Sequence, residues 1–120
     1  MTLIGIGVDI VSLPRVARFL KDHSDRLDRI FTVRERKLLA GRRSRVEPVA
    51  RLLSAKEAIF KALGGSWMGI EGFRMIDVNL EEATAKVKPA LLGRRRGIQF
   101  TLSTSRRSSL IVSQAVGVIP

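Results

Sequence analysis

The segment Ser54-Ala55-Lys56-Glu57-Ala58-Ile59-Phe60-Lys61-Ala62 sits inside the strongest helical pattern of this chain, residues 47–63. Pro48 stands near its start, Gly64-Gly65 ends it, and Leu52, Ile59 and Leu63 keep to one face. Glu57 and Lys61 are four apart and share a face, with Lys56 close to the other side of Glu57. Two readings stay open. A Glu-to-Lys pair at this spacing is worth only ~0.2–0.5 kcal/mol and needs no function. Alternatively, Glu57 is a hard oxygen ligand for magnesium, with Lys56 and Lys61 as cations facing phosphate.

Upstream, residues 2–11 are apolar, rich in Ile and Val, and read as a strand that carries one acid, Asp9. A carboxylate in an apolar strand is costly unless it is paired, hydrogen-bonded or bound to a cation. Either it caps the helix that begins near Ser12-Leu13-Pro14, or it serves a site. Val16, Phe19 and Leu20 continue that helix, and Thr32 with Glu35 forms a capping box for the next.

Downstream, residues 75–80 and 84–92 read as short strands, the second weakened by Pro89. Arg94-Arg95-Arg96-Gly97 is a turn, and Ile98, Phe100 and Leu102 alternate with polar residues as in a half-buried strand. Arg106-Arg107-Ser108-Ser109 then leads into a last strand, 110–119. One strand, several helices and then antiparallel strands predict an α+β fold in a single domain over 1–120, with an antiparallel sheet packed on helices.

Composition narrows the chemistry. With 120 residues, 45% of them hydrophobic, the chain can bury a real core and is no disordered basic tail. No cysteine is present, which excludes disulfides, thiolate zinc sites and thiol catalysis. His23 is the only histidine, so no His-rich metal site is available, and its place after a helix predicts an exposed loop residue. No signal peptide or membrane span is visible, so the expectation is a cytoplasmic protein. The net charge is +11, concentrated in residues 15–51, where 12 basic residues face 5 acidic ones, and in 83–120, which hold no acid. Such a charge suits an acidic protein, a polyphosphate, an anionic membrane or nucleic acid. One Trp and no Tyr leave little aromatic surface on which single-stranded bases would stack. Gly5-x-Gly7 lacks the rest of a dinucleotide fingerprint. Trp67, Met68 and Met75 are expected in a core or interface.

These pieces in order resemble the holo-(acyl-carrier-protein) synthases, the small type of 4'-phosphopantetheinyl transferase. Gly5-Ile6-Gly7-Val8-Asp9-Ile10-Val11 is similar to the family's first motif, and Asp28-Arg29-Ile30-Phe31-Thr32-x-x-Glu35 to its next landmark. Ala55-Lys56-Glu57-Ala58-x-x-Lys61-Ala62-Leu63-Gly64 resembles its signature helix, and Phe73-Arg74-Met75-Ile76-Asp77-Val78 the strand that follows. Val11 stands where larger members of the superfamily place a further acid.

The resemblance implies transfer of phosphopantetheine from coenzyme A to a serine of apo acyl carrier protein. Adenosine 3',5'-bisphosphate leaves, and the product serves fatty acid or polyketide biosynthesis. Asp9 and Glu57 would hold Mg²⁺, Lys61 would stabilise phosphate oxygens, and Lys56 would be a second cation. Either Glu57 or a water on the metal would take the serine proton. Arg15, with Arg18 and Lys21, would dock the acidic carrier, and sites would lie between subunits of a homotrimer.

Two departures stand out. Ser103-Thr104-Ser105 replaces the family's usual Ser-His-Ser, leaving Ser103, Thr104 and Arg106 as coenzyme contacts, with Arg107 close by. Arg51 stands five residues before Lys56 instead of four, followed by Leu52-Leu53 instead of an aromatic. The competing readings are a small basic nucleic-acid-binding protein and a catalytically weakened homologue that only binds carrier protein.

Overall fold

The structure is a computed structural model that describes residues 1–41, 44–65 and 70–120. Strand β1 (Thr2–Ser12) leads into helix α1 (Leu13–His23). Two short helices follow, α2 (Leu27–Ile30) and α3 (Val33–Ala40), and then the long helix α4 (Val46–Ala62). A 3₁₀ segment (Ile70–Met75) precedes β2 (Ile76–Asn79), β3 (Thr84–Val87) and the single turn α5 (Pro89–Leu92). Strands β4 (Gln99–Arg107) and β5 (Leu110–Ile119) complete the α+β domain.

The main sheet is antiparallel in the order β1-β5-β4, and β2 and β3 form a separate antiparallel pair. Helix α4 packs across one face of the main sheet, against β1 and β5 above all. Its approach to β1 explains the two early glycines. A Cβ on Gly5 would lie 2.0 Å from the carbonyl oxygen of Ala62, and one on Gly7 would lie 1.8 Å from that of Ala58. Only glycine on the strand, facing alanine on the helix, lets the two backbones meet this closely. Since strand side chains alternate, Gly5, Gly7 and Asp9 share that face. The close packing therefore delivers Asp9 to α4.

Local signals were obeyed where they rest on capping chemistry. The Ser12 hydroxyl accepts from the Arg15 amide, with Pro14 in the first turn of α1. Thr32 and Glu35 form the full capping box of α3. Gly64 and Gly65, at φ values of 112° and 69°, end α4 in conformations that favour glycine. The expected strand over 84–92 is corrected. It ends at Val87, and Pro89 opens a helical turn that buries Leu91 and Leu92. Proline's fixed φ and missing N–H suit a first helical turn and not a ladder. His23 ends α1, half-buried, with its ring 5.7 Å from that of Phe19, so it is no exposed loop residue. Met75 packs on the core as expected, while Arg42, Arg43, Trp67 and Met68 lie outside the described residues.

Candidate active site

Asp9 does not cap α1, because β1 runs on to Ser12 and Ser12 takes that role. Its carboxylate is largely buried, with 13% of the side chain exposed, and Oδ1 lies 3.0 Å from Nζ of Lys61. Lys61 also donates to the carbonyl of Val8 at 3.1 Å and keeps about half of its side chain in solvent. The Glu57–Lys61 spacing on the helix is thus not used as a simple surface pair. Lys61 turns to the strand instead.

Glu57 faces the same place, half-buried. Burial raises its pKa above the ordinary carboxylate value, and the neighbouring Asp9 charge adds to this, with Lys61 opposing. Asp9 and Glu57 line one cleft of about 330 Å³ with Ser12, Arg15 and Leu53, closed on its apolar side by Val16 and Phe19. Arg18 and Lys21 follow Arg15 along the exposed side of α1. The structure thus gathers Asp9, Glu57 and Lys61, and borders them with the basic helix.

Lys56 is not part of this site, contrary to expectation. It and Glu35 are fully buried, with Nζ 2.6 Å from Glu35 Oε1. Lys56 donates to the carbonyls of Phe73 and Ile76, while Glu35 accepts from the amides of Thr32 and Val78. The pair thus satisfies the Ile76 carbonyl and Val78 amide of β2, the Phe73 carbonyl before it and the Thr32 amide at the start of α3. One step along a helix turns a side chain by 100°, so Glu57 reaches the cleft while Lys56 enters the core. Burial lowers the Lys56 pKa, and Glu35 opposes that shift.

Across the sheet, Asp9 pairs in register with Ser113, and Ser113 with Thr104. Paired residues face the same side, so Thr104 lies on the α4 face, two strand spacings or roughly 10 Å from Asp9. Ser103 is one residue off and points to the opposite face, so it does not join Thr104, and that expectation is corrected for this chain's own cleft. The structure adds two residues that the sequence reading left outside the site. Arg51 Nη1 donates to Thr104 at Oγ1 (3.2 Å) and at the carbonyl (3.3 Å). Glu47 binds Arg51 at 3.1 Å through one oxygen and Arg106 at 3.3 Å through the other. The signals were the place of Arg51 five residues before Lys56 and its four-residue spacing from Glu47, and neither says anything about Thr104.

Asp9 and Glu57 are hard oxygen donors, and an ammonium already sits on one of them. Among the described residues no group of three or more His, Cys, Asp or Glu forms. A two-carboxylate site fits Mg²⁺, which keeps several waters and binds through one or two carboxylates plus substrate phosphates.

Known proteins resemble this chain along nearly its whole length. The model of the 4'-phosphopantetheinyl transferase superfamily matches residues 5–115. A holo-[acyl-carrier-protein] synthase of Clostridium perfringens is 30% identical, over 95% of this chain and 92% of its own. The crystal structure of the Neisseria meningitidis holo-[acyl-carrier-protein] synthase superposes with a TM-score of 0.82 at 31% identity, over 97% of this chain and 98% of that one. The Bacillus anthracis synthase in complex with coenzyme A (3',5'-ADP) gives a TM-score of 0.78 at 28% identity, over 98% and 97%. The cleft between β1 and α4 therefore belongs to a member of the 4'-phosphopantetheinyl transferase superfamily.

Proposed function

We propose that this protein is a holo-[acyl-carrier-protein] synthase. It transfers 4'-phosphopantetheine from coenzyme A to a serine hydroxyl of apo acyl carrier protein. The serine oxygen forms a bond to the phosphorus nearer the pantetheine, the anhydride bond breaks, and adenosine 3',5'-bisphosphate leaves. The observation that carries this reading is the meeting of Asp9, Glu57 and Lys61 at the cleft between β1 and α4.

Asp9 and Glu57 would hold Mg²⁺, which when bound supplies Lewis-acid stabilisation to the diphosphate oxygens. Lys61 adds a cation for charge that develops on the leaving diphosphate. Either Glu57 or a water held beside it would take the proton of the serine hydroxyl. Arg51 on α4, with Thr104 and Arg106 on β4, would face the outer phosphate of the coenzyme. Arg15, Arg18 and Lys21 receive the acidic carrier, and Arg15 lines the cleft directly.

A homotrimer would use the sheet face opposite α4. Ile6, Val8 and Ile10 stand on it, exposed by 60%, 48% and 61%, an apolar strip that a second copy would cover. Ser103, in register with Gln114 and through it with Val8, lies on this same face and would stand at or near the subunit contact. No described helix is long and apolar enough to cross a membrane. On this proposal the protein works in the cytoplasm and serves fatty acid or polyketide biosynthesis.

The test is the mass of an apo acyl carrier protein after incubation with the protein, coenzyme A and Mg²⁺. A gain of one phosphopantetheine group, abolished by EDTA, is the expected result. No gain with several carriers, from a folded sample that binds duplex DNA with steep salt dependence, would overturn it.

A further inference from the structure

Glu47 is the only acid in contact with the Arg51–Arg106 cluster among the described residues, and its two oxygens serve two different guanidinium groups. Arg51 comes from the next turn of α4, and Arg106 from β4, two residues beyond Thr104 and on the same face. The distances are 3.1 Å and 3.3 Å, longer than the ~2.7–2.9 Å of a tight charge-assisted bond. All three side chains are open to solvent, at 29%, 38% and 49% for Arg51, Glu47 and Arg106. The cluster keeps a net positive charge and spare N–H donors. A carboxylate that bridges two arginines in this way occupies the place where a phosphate monoester would bridge them.

We propose that Glu47 is a resident counter-ion, which occupies Arg51 and Arg106 in the coenzyme's absence and yields them when its ribose phosphate arrives. This rests on the reading above, in which these residues face the outer phosphate. Glu47 competes with the ligand for the same donors, so apparent affinity falls by the fraction of time the arginines are engaged. Only a ligand that carries this phosphate meets the competition. Glu47 thus tunes how much of the affinity comes from that phosphate, and how strongly binding depends on salt.

The test is calorimetric titration of adenosine 3',5'-bisphosphate and of adenosine 5'-monophosphate, in Mg²⁺ and low salt. The proteins compared are wild type, Glu47→Gln, Arg51→Met/Arg106→Met and the triple variant, each checked for an unchanged melting profile. Glu47→Gln is expected to tighten the bisphosphate about two- to fivefold, the scale of an exposed ion pair. The monophosphate should be unaffected, and the gain should vanish in the background lacking both arginines. If the double arginine variant weakens the bisphosphate while Glu47→Gln leaves it unchanged or weaker, the counter-ion role is overturned and the phosphate placement stands. If the double arginine variant binds both ligands as wild type does, the placement itself fails and the inference falls with it.

Discussion

Nζ of Lys61 lies 3.0 Å from Oδ1 of Asp9, joining the last turn of α4 to the middle of β1 across 52 residues of sequence. In the proposed reaction this contact marks the end of the cleft at which charge is handled. Lys61→Met should lower transfer by about 10²-fold, the scale of losing one preorganised electrostatic group. Asp9→Asn and Glu57→Gln should each bring it near background while circular dichroism stays native. Near-normal transfer by either variant would move the reaction elsewhere.

Arg15 and Arg18 are solvent-exposed on α1, and in the proposed docking role they act on encounter. Arg15→Ala/Arg18→Ala should raise KM for carrier protein with little change in kcat, and should flatten its salt dependence. Steady-state kinetics at two ionic strengths reads both effects. A fall in kcat alone would contradict a docking role.

Gly7→Ala asks β1 and α4 to separate, because the new Cβ would meet the Ala58 carbonyl oxygen at 1.8 Å. Backbone cannot rotate away as a side chain can. A loss of about 1–3 kcal/mol or more is expected from denaturant unfolding, with transfer reduced as Asp9 shifts. Wild-type stability would refute the close-packing account.

Lys56→Met leaves Glu35 charged and buried without its partner, and should cost about 3–5 kcal/mol. Replacing both residues by Met and Leu is the informative case. A buried pair can often be exchanged for apolar residues at no loss. Here the exchange strands the amides of Thr32 and Val78 and the carbonyls of Phe73 and Ile76, so the double variant should remain destabilised by several kcal/mol, at about 1–3 kcal/mol for each orphan. Full recovery would show that the backbone groups find water.

Asp77 gives a pH signature. Burial alone would raise its pKa, but hydrogen bonds from Thr32 (2.7 Å) and Arg34 (3.0 Å) outweigh that and hold it below the ordinary 3.8. A depressed carboxylate stabilises the fold above its unfolded pKa, and this contribution is lost as pH falls through the folded value. Asp77→Asn should therefore be less stable than wild type at pH 6, by about 1 kcal/mol. The two should converge on acidification below 3.8. A gap that persists at pH 2–3 would assign the loss to packing.

The sequence by itself determined whatever depends on neighbours along the chain. Ser12 with Pro14, Thr32 with Glu35, and Gly64-Gly65 set helix ends through contacts within a few residues, and all were legible. The family resemblance of Asp9, Glu57 and Lys61 was legible too, as residue types in order.

Direction and partner were decided only in the tertiary structure. Lys56 and Glu57 are adjacent and equally charged in magnitude, yet one enters the core and the other the cleft, since the choice depends on where β1 and β2 lie around α4. Ser103 and Thr104 divide in the same way, because successive strand residues face opposite sides of a sheet. Thr104 gains Arg51 from 53 residues away, and Gly7 owes its identity to a carbonyl oxygen on a helix. Such pairings rest on the packing of distant elements, and no local pattern encodes them.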